Sequence, residues 1–513
     1  MKHSKIILSG ILLVGLVLRC INLQSRGIIY DDAFSFFLSA RSLPAIVQGT
    51  AADTMPPLYY FLLHFWMVLG QSLWFLRTLS VLLSLASVVF VYWMVRSLLG
   101  EPAGLAAAFI AAISPFQIYH AQDLRMYALL ALCQVAYAFF FTRIWKRSQP
   151  AQVGELAAAG SKGPVQVDSK EPSGNPNLDW LGLVISGALA MYSHNLAIFV
   201  LVVPNLFLLV RRQWRLLGRL IMAQMLVGLL FLPWLVLLPG QIAKIQQAFW
   251  TPRPGLVEII QALIMFCAAL PLPGIWLIIG AIVSLQIMVM VIIEGLRRKN
   301  RDSGLSLLAA FAILPPVMLF VVSYIMRPVF VPRAFIFSSL AFYGIAGALA
   351  VKKWPKGPGI LIGAGLIVAA CISLPYQYTF NEFPRSPFDQ ATAYLTQKIQ
   401  PGDIIVHDNK LSYFPFLYFE RSLPENFLAD APGTSNDTLA FPSQQAMQIY
   451  PVKDIQTAVG SHAQVYFVVF DEAIQEYQAA GLSDHPILAW LKQHYHLQGQ
   501  VAFNDLEIYQ FTH

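Results

Sequence analysis

Two adjacent carboxylates, Asp31 and Asp32, stand in RGIIYDDAFSFFLSARS (residues 26–42), among Phe, Ile and Leu. Side by side they repel, which raises one pKa and leaves a carboxylate suited to take a proton from a hydroxyl. The plainer use of such a residue is to cap the helix that AFSFFLSARS opens. Capping accounts for one Asp more readily than for two. Asp53 follows in ADTMPPLYYFLLHFW, with Tyr59 beyond it. Asp53 or Thr54 is placed to cap a helix opening at Pro56 and Pro57, a role compatible with a place in a site.

SPFQIYHAQDLRMYALL (114–130) gathers His120, Asp123, Arg125 and Tyr127 between two apolar runs. Asp123 and Arg125 can pair with each other or orient a polar ligand. His194, in MYSHNLAIF, marks another turn, where a lone His is more often a hydrogen-bonded turn residue than a ligand. YIMRPVFVPRAFIF carries Arg327 and Arg333. Arginine binds phosphate through charge-assisted, often bidentate hydrogen bonds. Its ordinary use beside lipid is snorkelling to the headgroups, but Arg333 stands deeper in its apolar run than snorkelling needs. Acids at one place and arginines at another suit transfer from a lipid phosphate. The acid takes the proton of an acceptor hydroxyl, and the arginine stabilises charge growing on the departing phosphate. A donor that cannot leave the bilayer would explain why these groups sit in so apolar a chain.

Of the 513 residues 57% are hydrophobic and 12% charged. A soluble domain is about a quarter charged, so most of this chain belongs in lipid. The net charge of +7 does not indicate nucleic acid, because basic residues of membrane proteins collect in cytoplasmic loops. Cys20, Cys133, Cys267 and Cys371 each lie in or beside an apolar run and read as core residues, not as a disulfide framework. The first 22 residues begin like a signal peptide, but no small-residue cleavage site follows, so they read as a retained helix.

Spans of about 20 apolar residues are expected near 5–22, 73–98, 102–118, 125–144, 179–192, 195–211, 216–238, 273–296, 304–325, 332–351 and 357–377, about eleven in all. Every second loop is basic: Lys2 and Lys5, Lys146 and Arg147, Arg211 to Arg219, RRKNR (297–301) and KKWPK (352–356). These loops are cytoplasmic by the positive-inside rule. The N-terminus is then inside and the C-terminus outside, in a multi-pass protein of the plasma or inner membrane. The candidate residues all fall on the outer side, in the first loop (23–72) or at later outer turns. Residues 146–178 read as a flexible cytoplasmic linker, rich in Ser, Gly, Pro and Ala. Residues 56–70 are too short to span and read as an interfacial helix, with 256–270 as a second.

From 379 the character changes. GDIIVHD, AQVYFVVFDEA and LEIYQF read as strands, with FDQATAYLTQKIQ as a helix between them. The fold class is therefore mostly α, a polytopic membrane domain over 1–378 followed by a small extracytoplasmic α/β domain over 379–513. No repeat and no nucleotide-binding glycine motif is present.

In order along the chain, YDDAFSFFLSARS, DTMPPLYYFLLHFW, SPFQIYHAQDLRMYALL and RPVFVPRAFIF resemble four segments of the GT-C fold glycosyltransferases of the family 39-like group, which includes protein O-mannosyltransferases and aminoarabinose transferases. Four positions depart from the family pattern: Asp32 and Asp123 replace Glu, Met55 replaces His and Ala334 replaces Tyr. The resemblance covers residues 1–350. It implies a polyprenyl-phosphate monosaccharide as donor, a glycan, lipid or protein acceptor, and inversion at the sugar carbon. It makes Asp31 the base and gives Asp32 an assisting role. Asp53 and Asp123 would line the cavity with Tyr59, His120, Tyr127 and His194, and Arg333 would hold the phosphate with Arg327 and Arg125. No cofactor is required in most of this group, although clustered carboxylates can bind a divalent cation.

Two other classes share parts of this pattern. A transporter or lipid flippase also has many helices and buried charges, but places them near the midplane in repeated halves. A scaffold with an outer binding domain would not need paired acids and arginines in its loops.

Overall fold

A computed structural model of the chain describes residues 2–149, 174–247, 251, 253–296, 303–326, 328–353, 356–430 and 439–513. Most of the linker expected over 146–178 lies outside the described residues, as do Arg327 and the 297–301 basic stretch. Helix α8 runs on through Ser148, past the expected start of that linker.

The first helix, α1 (Lys2–Cys20), leads into three short ones, α2 (Tyr30–Ser39), α3 (Leu43–Ala52) and α4 (Leu58–Met67). Then come α5 (Leu73–Leu99), α6 (Glu101–Ile113), α7 (Pro115–Ala121), α8 (Tyr127–Ser148), α9 (Pro176–Ser193), α10 (Ile198–Leu201), α11 (Val203–Val210) and α12 (Trp214–Leu235). Short α13 (Leu238–Gln247) and α14 (Leu256–Cys267) precede α15 (Gly274–Leu296), α16 (Ser303–Ile325), α17 (Ile336–Lys353) and α18 (Gly357–Thr379). Among the described residues eight helices are long and apolar enough to cross a membrane, nine if α6 and α7 count as one span bent by 58°. The bend has a local cause: Ser114 is extended before Pro115, and its hydroxyl caps the Gln117 N–H. Helix α9 and the broken run α10–α11 occupy the remaining two expected places. The short α4 and α14 stand where interfacial helices are expected.

Helices α8 and α17 are enclosed on nearly all sides, whereas α1, α12 and α15 expose most of their residues, the pattern of helices at the centre and at the lipid rim of a bundle. Close approach needs small residues. At Gly347 of α17 an added Cβ would lie 2.7 Å from the Ala107 nitrogen of α6.

The C-terminal domain carries a five-stranded sheet in the order β2-β1-β3-β5-β4, formed by β1 (Asp403–His407), β2 (Glu425–Phe427), β3 (Gln464–Phe470), β4 (His496–Phe503) and β5 (Leu506–Thr512). Strand β1 runs parallel to β2 and β3, and β5 is antiparallel to both β3 and β4. One face is covered by α19 (Phe388–Lys398) and α20 (Lys410–Phe419) through Phe388, Leu395 and Phe416. The other is covered by α22 (Ile455–Val459) and α24 (Pro486–His494). Helix α21 (Phe441–Met447) lies on α3, where Ser443 donates to the Gly49 carbonyl at 3.0 Å; α23 (Asp471–Ala479) follows β3. The domain is docked on the helices by aromatic contacts. Phe414 of α20 meets Tyr30 edge-on at 5.1 Å, and Tyr418 meets Phe36 at 5.0 Å. Apolar residues of both parts, Phe414, Met447 and Phe34 among them, form one continuous core.

Candidate active site

Asp31 and Asp32 fall in the first turn of α2. The N-cap is Ile29, so neither is the capping residue. Asp32 is fully enclosed. Its carboxylate meets Arg77 Nη2 at 3.3 Å and accepts the Leu124 N–H at 2.9 Å. Arg77 donates to the carbonyls of Leu23, Arg26 and Gly27. Burial pushes the Asp32 carboxyl up, and nearby Asp123 adds to this, against Arg77. Asp32 thus ties the start of α2 to α5 and to the turn before α8.

Asp31 is 30% exposed and stands between two guanidiniums, Arg125 Nε at 3.8 Å and Arg333 Nη1 at 3.9 Å. These are ion pairs beyond hydrogen-bond length. Arg125 is buried and contacts the Tyr60 hydroxyl at 3.3 Å and Ser35 Oγ at 3.5 Å. Burial opposes its charge, but Asp31 and the neighbouring tyrosines hold its pKa well above the ordinary value. The Arg333 guanidinium lies 5.6 Å from the centre of the Tyr127 ring. Arg125 Nε and the Tyr127 hydroxyl are buried and make no hydrogen bond within the described residues.

His120 and Asp123 lie beneath. His120 Nδ1 is 3.4 Å from Asp123 Oδ2, and its ring packs on Phe116 and Tyr127. Asp123 is held by Arg385 Nη2 at 2.6 Å and Arg26 Nη2 at 3.3 Å. Burial alone would raise the Asp123 carboxyl, but Arg26, Arg385 and His120 outweigh it and keep it below the usual carboxylate range. Asp123 therefore pairs with Arg26 and Arg385, not with Arg125. Tyr59 is also enclosed, its hydroxyl 3.3 Å from Ser80, which donates to the Asp123 carbonyl. It belongs to the floor under the site.

His194 ends α9 in an extended conformation, and its Nδ1 accepts the Leu196 N–H at 3.1 Å. Nε2 then carries the proton in the neutral ring. Burial, with Arg333 and Arg125 adding, pushes its pKa down to about 3. His194 is a turn residue that also lies beside Tyr127, ring centres 6.3 Å apart. Asp53 is the C-cap of α3. Helix α4 starts after Pro57 with no side-chain cap, so neither Asp53 nor Thr54 caps it. The charge of Asp53 acts on Arg125, Tyr60 and Tyr30, the same groups on which the charge of Asp31 acts.

Arg26, Arg77, Tyr60 and Arg385 complete the arrangement and were not singled out by the sequence. Arg77 had a signal, as a charged residue inside an apolar run. Arg385 had none, since nothing local distinguishes it. Among the described residues no three His, Cys, Asp or Glu side chains come together as a metal site.

Residues 54–162 match the sequence profile of the dolichyl-phosphate-mannose-protein mannosyltransferase family. Among curated proteins none matches the chain. Solved structures show the fold. ArnT from Cupriavidus metallidurans in the apo state is 13% identical, with a TM-score of 0.59 over 98% of this chain and 97% of that one. The same protein bound to undecaprenyl phosphate gives 0.58 at 13% identity over the same shares. The Archaeoglobus fulgidus oligosaccharyltransferase tethered with an acceptor peptide, also 13% identical, gives 0.53 over 98% of this chain and 72% of that one. The chain has the GT-C fold, a polytopic helical bundle with a small C-terminal sheet domain.

Proposed function

We propose that the protein is a glycosyltransferase that moves a monosaccharide from a polyprenyl-phosphate donor to an acceptor hydroxyl at the outer face of the membrane. The observation that carries this reading is Asp31 between the guanidiniums of Arg125 and Arg333. Asp31 accepts the proton of the acceptor hydroxyl. The acceptor oxygen bonds to the anomeric carbon as the bond from that carbon to the phosphate oxygen breaks, with inversion. The electron pair leaves with the polyprenyl phosphate, whose charge Arg125 and Arg333 stabilise. Asp32 and Asp123 hold the scaffold beneath. Support from outside the chain is the ArnT structure that binds undecaprenyl phosphate and the mannosyltransferase profile over 54–162. No metal has a part in this scheme. The N-terminus is cytoplasmic, and the sheet domain faces outward.

Native mass spectrometry of the purified protein with a panel of polyprenyl-phosphate sugars and nucleotide sugars tests the reading. Retention of a lipid-linked sugar, lost in Arg125→Ala, is the expected result and names the donor. Retention of none by the wild type overturns it.

A further inference from the structure

The C-terminal domain reaches the stretch before α2 through a short segment after α18. The two-residue turn between β4 and β5 is Asn504–Asp505, with Asn504 at φ 55°. Asn504 Nδ2 donates to the Asn381 carbonyl at 2.9 Å. Asp505 Oδ2 accepts from the Phe383 N–H at 2.7 Å and from Ser386 Oγ at 3.0 Å. The hairpin turn therefore grips residues 381–386 at both ends.

Arg385, inside that grip, points into the helical domain and is 1% exposed. Nη2 meets Asp123 at 2.6 Å, and Nη1 donates to the Gly27 carbonyl at 2.7 Å. The backbones also touch: a Cβ on Gly27 would lie 2.7 Å from the Arg385 carbonyl oxygen. Gly27 is four residues before Asp31, on the stretch that Arg77 fixes from the other side. A carboxylate that must meet a hydroxyl in the right geometry is sensitive to its backbone, and a misplacement of about 1 Å costs roughly 10²-fold in rate.

We infer that Arg385, gripped by Asn504 and Asp505, is a positioning residue for Asp31, so that docking of the sheet domain sets the geometry of the site. The inference deepens the transferase reading and, for its effect on rate, rests on it. None of the three touches the reacting groups.

Two measurements test it on the full-length protein. The first compares turnover with affinity for undecaprenyl phosphate in Asp505→Ala, Asp505→Asn and Arg385→Lys. Asp505→Ala removes both accepted hydrogen bonds, while Asp505→Asn keeps an acceptor oxygen. Arg385→Lys keeps the charge but loses the two-armed contact. Asp505→Ala and Arg385→Lys should lower kcat by about 10- to 100-fold, with undecaprenyl phosphate affinity unchanged and Asp505→Asn restoring most of the rate. Unchanged kcat in both variants, or equal loss of rate and affinity, overturns the inference. The second needs no activity: the rate at which a soluble maleimide labels Asp31→Cys, with Cys20 and Cys371 replaced by Ser. Adding Asp505→Ala should change that rate by about threefold or more. Equal rates overturn the positioning role. A changed labelling rate, alongside a wild-type protein that transfers no lipid-linked sugar, would sink the transferase reading and leave the positioning role standing.

Discussion

Asp31 and Asp32 are consecutive, yet Asp31 is 30% exposed between Arg125 and Arg333 while Asp32 is fully enclosed against Arg77. One helical step separates a part-exposed carboxylate from one enclosed against a buried arginine. The two should therefore fail in different ways.

Asp31→Asn should fold and lose transfer by about 10²–10⁴-fold, the usual contribution of a general base. Asp53→Asn should lose less, because Asp53 acts on Arg125 and Tyr60 only through its charge. Rate measurements on purified variants check both, and full activity in Asp31→Asn would assign the base elsewhere.

Asp32→Ala should act on stability. It leaves Arg77 buried without its carboxylate, which costs about 3–5 kcal/mol, and frees the Leu124 N–H. Asp32→Asn keeps an acceptor for that N–H and should cost less. Thermal melts in detergent measure the difference; a wild-type melting curve for Asp32→Ala would show that the pair is not structural.

Arg125→Ala should weaken undecaprenyl phosphate binding by roughly 10- to 150-fold, the worth of one hydrogen bond to a charged group. Arg333→Ala should weaken it less, since Arg333 is 32% exposed and its interaction is screened by water. Equal affinity in Arg333→Ala would return that residue to snorkelling.

In the sheet domain Asp408 and His485 are 3.3 Å apart. Burial pushes the Asp408 carboxyl up to about 7 and the His485 imidazole down to about 4. Between about pH 4 and 7 the folded Asp408 holds a proton that the unfolded one has lost, so its contribution to stability falls as pH rises. Between about pH 4 and 6.5 the unfolded His485 holds a proton that the folded one lacks, so its contribution rises. The two slopes oppose. Relative to wild type, Asp408→Asn should make stability rise with pH between 4.5 and 6.5, and His485→Gln should make it fall. Melting temperatures across that range decide it, and parallel curves for all three proteins would refute the assignment.

Much of the fold was legible. Apolar runs of spanning length gave α5, α15, α16 and α18 to within two residues, and the segments GDIIVHD, AQVYFVVFDEA and LEIYQF hold β1, β3 and β5. Strand β4 was missed, because HLQGQVAF mixes polar residues and a Gly and is an exposed edge strand without a strong apolar signal. Of the site, the grouping of Asp31 with Arg125, Arg333 and Tyr127 follows motifs that stood out as polar breaks in apolar sequence. Asp123 stood out equally, but its partners could not be read. Nothing near it in the chain reveals Arg385.

By itself the sequence determined which segments are long and apolar enough to cross a membrane, where the chain changes to a sheet domain and which acids and arginines stand at helix ends. These depend on residues close together in the chain: run length, period and caps. Only the tertiary structure decided which of two adjacent aspartates is buried, and that Asp123 meets an arginine 262 residues away. Burial and ion pairing depend on what packs against a side chain from elsewhere in the chain, and local pattern carries no record of that neighbour.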